Sequence, residues 1–323
     1  MPLGAAKAGL MAAAGGVSGS RGVGFGGETS GGSQDVIQYV EISSTGNATD
    51  FGNLQAAKLG GGTCSNGATD RGLFIGGSGG DTDMIQYVTI STAGNSTDFG
   101  NLTLGRWYNA SCSNGTNDRG VTAGGDIGAP TYYTNSIEYV TISSAGDASD
   151  FGDINAAIKT GNSSFSNGTD ERGIIGMGWT PSTYSDMIVY ITINSTGDTS
   201  DFGDLTVSRR AGQGVSNDTG GRGVFAGGAS SPSAAKVNTM DYITIASTGN
   251  ATDFGDLLAV NNFNNGGQGS GSGSDQRGLF WGGQGASATL DTIQYITIDS
   301  TGNATDFGDL LDAAFGVSAC SNA

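Results

Sequence analysis

The sequence predicts an all-β fold: a six-bladed β-propeller with four short antiparallel strands per blade. Three observations lead there. One residue pattern recurs six times in a single register, with Tyr at Tyr39, Tyr87, Tyr139, Tyr190, Tyr242 and Tyr295 and Phe at Phe51, Phe99, Phe151, Phe202, Phe254 and Phe307. Every Tyr-to-Phe step is 12 residues, and a period of about 50 residues is that of a four-stranded propeller blade. The apolar residues at the repeated positions are the β-branched and aromatic types that suit strands. Finally, the strands count out to a ring only if the last strand of the chain completes the first blade.

Each repeat supplies its strands in order. Strand A ends in Cys112-Ser113-Asn114-Gly115, and strand B is Arg71-Gly72-Leu73-Phe74-Ile75-Gly76-Gly77. Strand C is Ile85-Gln86-Tyr87-Val88-Thr89-Ile90, and strand D is Asp98-Phe99-Gly100-Asn101-Leu102. Strand C is apolar on both faces, Ile85 and Tyr87 on one and Val88 and Ile90 on the other, which suits a sheet covered on both sides. The Gly pair ending strand B allows close backbone approach near the axis, and Met177 replaces its first Gly in the fourth copy. B, C and D occur six times from Arg21 onward, while A occurs five times between repeats and once more at 315–322. The C-terminal strand is therefore expected to close the ring, which removes exposed sheet edges. That divides the chain into an N-terminal arm, 1–20, and a propeller, 21–323. The arm reads as an attachment or oligomerisation device. Because Ala5-Ala6-Lys7 matches Ala56-Ala57-Lys58, a degenerate strand is the open alternative.

Composition narrows the function classes. The chain of 323 residues has 60 Gly, 4 Pro, no His and a net charge of −17. An acidic surface disfavours nucleic acid, whose phosphates need basic partners. Lack of His removes the commonest general base and zinc or copper ligand. No 18-residue apolar run is present, so no membrane insertion is expected, and 1–16 lacks the apolar stretch of a secretory signal. Cys64, Cys112 and Cys320 share one repeat position with Phe165 and Val215. They read as small core residues without a disulfide.

The repeated chemistry has two readings at each point. The carboxylate-rich segments, as at Asp253 and Asp256, read as Asx-turns holding the C–D loop, with calcium ligation as the alternative. Asp50, Asp98, Asp150, Asp201, Asp253 and Asp306 are expected to form one ion pair per blade with Arg21, Arg71, Arg119, Arg172, Arg222 and Arg277. An axial ring of Arg binding an anion is the competing reading. No phosphate loop, paired Cys motif or nucleophile–His constellation occurs. Neither a catalytic residue nor a cofactor is therefore assigned, and the chain reads as non-enzymatic.

Loop lengths separate two faces. The C–D loop is constant, whereas the Arg-to-Tyr interval that contains the B–C loop runs 18, 16, 20, 18, 20 and 18 residues. The B–C and D–A loops share the variable face, where contact with partners is expected. Six aromatics outside the repeat fall there: Trp107, Tyr108, Tyr132, Tyr133, Trp179 and Tyr184. They are candidate partner or glycan contacts, or they pack loop on loop.

The order Arg, Gly-Gly, Tyr and strand D, with closure by the C-terminal strand, resembles kelch repeats over residues 21–323. It departs from them in carrying Phe99 and its equivalents where kelch strand D has Trp. The wording Thr301–Leu310, Ala319–Asn322 and Arg277–Gly283 is similar to kelch-like proteins of marine bacteriophages, virion structural or tail-fibre proteins. That resemblance implies a virion protein of the tail or a capsid appendage, part of an oligomeric assembly. It would be joined to other virion proteins through residues 1–20 and would carry a propeller that recognises the host. A lectin-like propeller gripping host surface glycan is the alternative, and the two are compatible. A galactose-oxidase-like enzyme would need His ligands to copper, which this chain lacks.

Overall fold

The computed structural model describes residues 20–322 apart from 67–69, 81, 115–117, 156–162, 167–170, 180–182, 218–220, 264–266 and 273–275. The expected arm over 1–20 lies, Ser20 excepted, outside the described residues. The fold is all-β, with no helix among the described residues. Antiparallel sheets carry the repeat in the order A-B-C-D. The clearest is Gly62–Asn66, Arg71–Ile75, Met84–Thr89 and Thr97–Asn101. Four further sheets repeat this order from first strands at Ala110–Asn114, Ser163–Ser166, Gln213–Ser216 and Ser270–Ser272. In a sixth sheet of the repeat the first strand comes from the far end of the chain. Ser318–Ser321 pairs antiparallel with Arg21–Phe25, from Gly22↔Ser321 to Phe25↔Ser318, and Gly32–Glu41 and Thr49–Lys58 follow. Such a series of small sheets is compatible with a propeller-like fold.

Alternation along each strand explains the stacking. Ile85 and Tyr87 pack with Leu73 and Phe99 on one face of their sheet, while Val88 and Ile90 join Phe51 and Phe74 on the other. Both faces are covered, as the doubly apolar strand C requires. A register shift between Ile85 and Gln86 recurs at the same point in the other sheets. The three Cys are buried and free, each within a core cluster. The Gly pair ending strand B makes the expected close approach, with Gly76 lying against the Arg106 carbonyl of the D–A segment. Met177 adopts the same left-handed backbone (φ 61°) and is fully buried.

The expected ion pairs between the repeated Asp and Arg do not form. All six of these Asp are solvent-exposed, because strand D turns its Phe inward and alternation sends the preceding residue outward. The Arg instead lays its guanidinium on the repeated Tyr, at 4.5 to 4.8 Å from the ring centroid in all six repeats. That Tyr meets the repeated Phe edge-on. With its face on the ring, the guanidinium donates from Nη1 to an Ile carbonyl of the next sheet. Arg71 reaches Ile142 (2.9 Å), Arg172 reaches Ile245 (2.9 Å), and Arg277 reaches Ile42 in the first sheet (2.8 Å). Among the described residues only Arg21 also holds an acid, Glu41.

The C–D segment bridges sheets too, which extends the expected local Asx role. Asn95 Oδ1 accepts from the Asn53 N–H of the preceding sheet, and Asp147, Asp198, Asn250 and Asn303 repeat the contact. Asn47 accepts from Asp309 N–H, joining the last repeat to the first. The Gly after each repeated Phe serves this approach. Gly100 has φ +150°, and a Cβ there would overlap the Gly146 carbonyl of the next sheet. A further ladder runs through the first strands. Ser65 Oγ donates to the Ser321 carbonyl (2.6 Å), Ser113 to Ser65 (2.6 Å), Ser166 to Ser113, and Ser216 to Ser166 (2.6 Å).

Two stability measurements follow. Gly100→Ala combines a forbidden φ with backbone overlap and should cost about 2 kcal/mol or more. Gly146→Ala, which meets open space, should stay within about 0.5 kcal/mol of the parent. Equal effects of the two in urea unfolding would contradict the close approach. In the same assay Arg71→Ala should cost about 1–3 kcal/mol through its lost stacking and hydrogen bond. Asp98→Asn should be close to neutral; a cost equal to that of Arg71→Ala would restore the ion-pair reading.

Candidate functional site: an aromatic and arginine cluster on the variable face

The B–C and D–A loops meet, as their shared face requires. Isolated bridges join Leu59 to Ser78, Trp107 to Asp126, Asn262 to Gln284 and Phe315 to Glu28. Arg209–Arg210 pairs with Ala229–Ser230 in the same way. Two of these junctions are fastened by fully buried ion pairs. Arg209 Nη2 lies 3.0 Å from Asp241 Oδ2, and Arg106 Nη2 pairs with Glu138. Burial lowers the pKa of both guanidinium groups, and the facing carboxylates oppose that shift. The same acids accept from the backbone N–H groups of Thr206 and Thr103 in the preceding sheet. Where the strand C residue is Gln instead, Gln86, Gln294 and Gln38 accept equivalently from Gln55, Leu258 and Leu311.

On this frame the six singled-out aromatics fall into two groups. Trp107 and Tyr108 form an edge-on pair, with centroids 6.3 Å apart, and Tyr108 sits at φ 59°. Tyr132, Tyr133, Trp179 and Tyr184 form one continuous series, with successive centroids 6.4, 6.1 and 6.3 Å apart. This series crosses between two neighbouring B–C loops: Tyr132 and Tyr133 belong to one, and Trp179 and Tyr184 to the next. Trp179 and Tyr184 also bridge through their backbones. Tyr132 is 52% exposed and the other five are half-buried. Asp126 lies between the groups, bridged to Trp107 and paired with Tyr133 through the backbone. Burial raises its pKa, and the Gly128 N–H, which it accepts at 2.8 Å, partly offsets this.

Arg210 completes the second group and was not singled out by the sequence. Its Cζ lies 4.8 Å from the Trp179 ring centroid and 5.1 Å from that of Tyr184. A signal for it was present: Arg106, Arg209 and Arg210 are the only Arg outside the repeat. Which of the adjacent Arg209 and Arg210 turns inward depends on the position of Asp241, which the local sequence does not reveal. The cluster offers apolar rings, hydroxyls and one cation, a set suited to binding. The thiols of Cys112 and Cys320 are pushed up to about 12 by burial, and that of Cys64 is raised by burial and its two neighbouring thiols. Among the described residues no group of three or more His, Cys, Asp or Glu is placed to hold a metal ion. Asp147 and Asp198 of the acidic segments spend Oδ1 on backbone N–H groups.

No protein-family model matches the chain, and no curated protein matches it.

Asp241→Leu, which strands Arg209 as a lone buried charge, should cost about 3–5 kcal/mol, and Arg209→Met with Asp241→Leu should recover most of that. Urea unfolding of the parent, single and double variants checks this. A double variant as unstable as the single would place the cost in packing and not in the unpaired charge.

Proposed function

We propose that the chain is a six-bladed kelch-like β-propeller, closed by its C-terminal strand, that serves as a non-enzymatic, rigid binding platform on a virion. The six-bladed reading is supported by the recurrence of each inter-sheet contact and by its return from the last repeat to the first. Asp309 binds Asn47 and Arg277 binds the Ile42 carbonyl. The binding role is carried by one observation: Tyr132, Tyr133, Trp179 and Tyr184 form a partly exposed aromatic series that spans two loops of a braced scaffold. Aromatic rings presented on fixed loops are the usual anchors of recognition surfaces. The virion setting, as a tail or capsid appendage, rests on the wording shared with kelch-like phage proteins, and residues 1–20 would join the platform to other virion proteins. The lectin-like reading is favoured by the same rings and makes host surface glycan the partner.

Full-length protein and residues 21–323 should both fold, with the shorter form monomeric and the longer one self-associating or joining particles. Light scattering and thermal unfolding distinguish the outcomes. A truncated form that does not fold would make the arm a missing strand of the ring. Two forms that fold and both remain monomeric, with no binding to particles, would remove the attachment role.

A further inference from the structure

Arg210 differs from every other Arg outside the repeat. Arg106 and Arg209 are fully buried, and each is matched by a carboxylate of the next sheet. The guanidinium of Arg210 is half-buried and makes neither an ion pair nor a hydrogen bond among the described residues. Its Nε is buried without a partner among the described residues, as is that of Arg209. In a chain with 30 acidic and 13 basic residues, an Arg left without an acceptor is a notable omission. A buried donor without a partner carries a desolvation cost that a ligand can relieve.

The surroundings hold this cation in place for binding. The Trp179 and Tyr184 rings, perpendicular to each other, hold the guanidinium carbon 4.8 and 5.1 Å from their centroids, and its Nη groups remain to donate. Contact with two rings holds the guanidinium before any ligand arrives, so little side-chain entropy is lost on binding. The backbone is fixed too, since Arg210 pairs with Ala229 next to the buried Arg209–Asp241 ion pair. Tyr133 extends the ring series from Trp179. The Thr183 hydroxyl, next to Tyr184 in the chain, lies 2.9 Å from that of Ser231. Asp126, paired through its backbone with Tyr133 and bridged to Trp107, accepts from the Gly128 N–H.

We propose that Tyr133, Trp179, Tyr184 and Arg210 form a subsite for an acidic sugar residue. A ring carbon face of the sugar stacks on the aromatic series, and the carboxylate or sulfate accepts from Arg210. This rests on the binding-platform reading and narrows its partner to anionic glycan. Charge complementarity selects the occupant: in a protein of net charge −17, this is a cation held on rings with no acid partner among the described residues. A paired carboxylate and guanidinium give a directional, charge-assisted contact, and aromatic faces accept the C–H surface of a pyranose.

The test uses the full chain and calorimetry against oligogalacturonate, its neutral methyl ester, sialyllactose, chondroitin sulfate and poly-glutamate. At least one acidic glycan should bind. Arg210→Gln should weaken that binding about tenfold or more, while thermal unfolding confirms that the variant is folded. For oligogalacturonate, methyl esterification should weaken binding as much. Equal affinity for acid and ester, or an unchanged Arg210→Gln variant, would overturn the acidic subsite. If Trp179→Ala still abolished binding in that case, the platform reading would survive as a neutral-sugar site. Binding of poly-glutamate alone would assign the cation to an acidic peptide. Failure of every acidic glycan to bind would also overturn the subsite, whereas the platform reading stands or falls separately on the assembly of the full-length and truncated forms.

Discussion

A repeat of this kind cannot bury its own apolar faces. Strand C presents Ile85 and Tyr87 to one side and Val88 and Ile90 to the other, so every sheet depends on the sheets beside it. Three sets of contacts set the spacing. Arg lies on Tyr and reaches the next sheet's carbonyl; an Asn or Asp side chain caps a backbone N–H across the gap; Ser hydroxyls link the first strands. Each satisfies a polar backbone group at the gap between sheets. Close approach between sheets is therefore compatible with the high Gly content. At Gly100 and its equivalents a side chain would collide with the neighbouring backbone.

The acidic character of the molecule is consistent with this economy. Carboxylates on strand D point to solvent and take no part in the braces. The acids that do enter the interior, Glu138 and Asp241, are each matched by one Arg and by a backbone N–H. Gln at the equivalent positions makes the same backbone contact without a cation. The ion pairs are thus a variation on a neutral hydrogen bond. They appear where a D–A segment supplies Arg, and they fix those segments against the B–C loops. That fixing matters for the aromatic cluster, because Arg210 follows one such anchored residue.

Stiffness at the loops is what makes the cluster usable. Trp179 and Tyr184 bridge through their backbones and pack edge-on, and Tyr133 reaches them from a different repeat. The rings and the guanidinium between them lose little freedom when a partner arrives. Trp107 and Tyr108 stand apart as a second pair, so the six aromatics of the variable face are two surfaces and not one.

The sequence by itself determined the repeat, the strand order A-B-C-D, the two-sided burial of strand C and the pairing of the C-terminal strand with the first. These follow from periodicity and from side-chain alternation, which act within a few residues of each position. It also placed the aromatics on the loops of one face. Tertiary structure alone decided which groups meet across the gap between sheets. Arg and Asp recur in equal number, which suggested a pair, yet Arg71 takes Tyr87 and the Ile142 carbonyl while Asp98 faces water. Likewise, adjacent Arg209 and Arg210 look alike in sequence, and only the position of Asp241 in the next sheet turns one inward and leaves the other on Trp179. Partners separated by 30 or more residues are set by how sheets stack, and no local pattern encodes that distance.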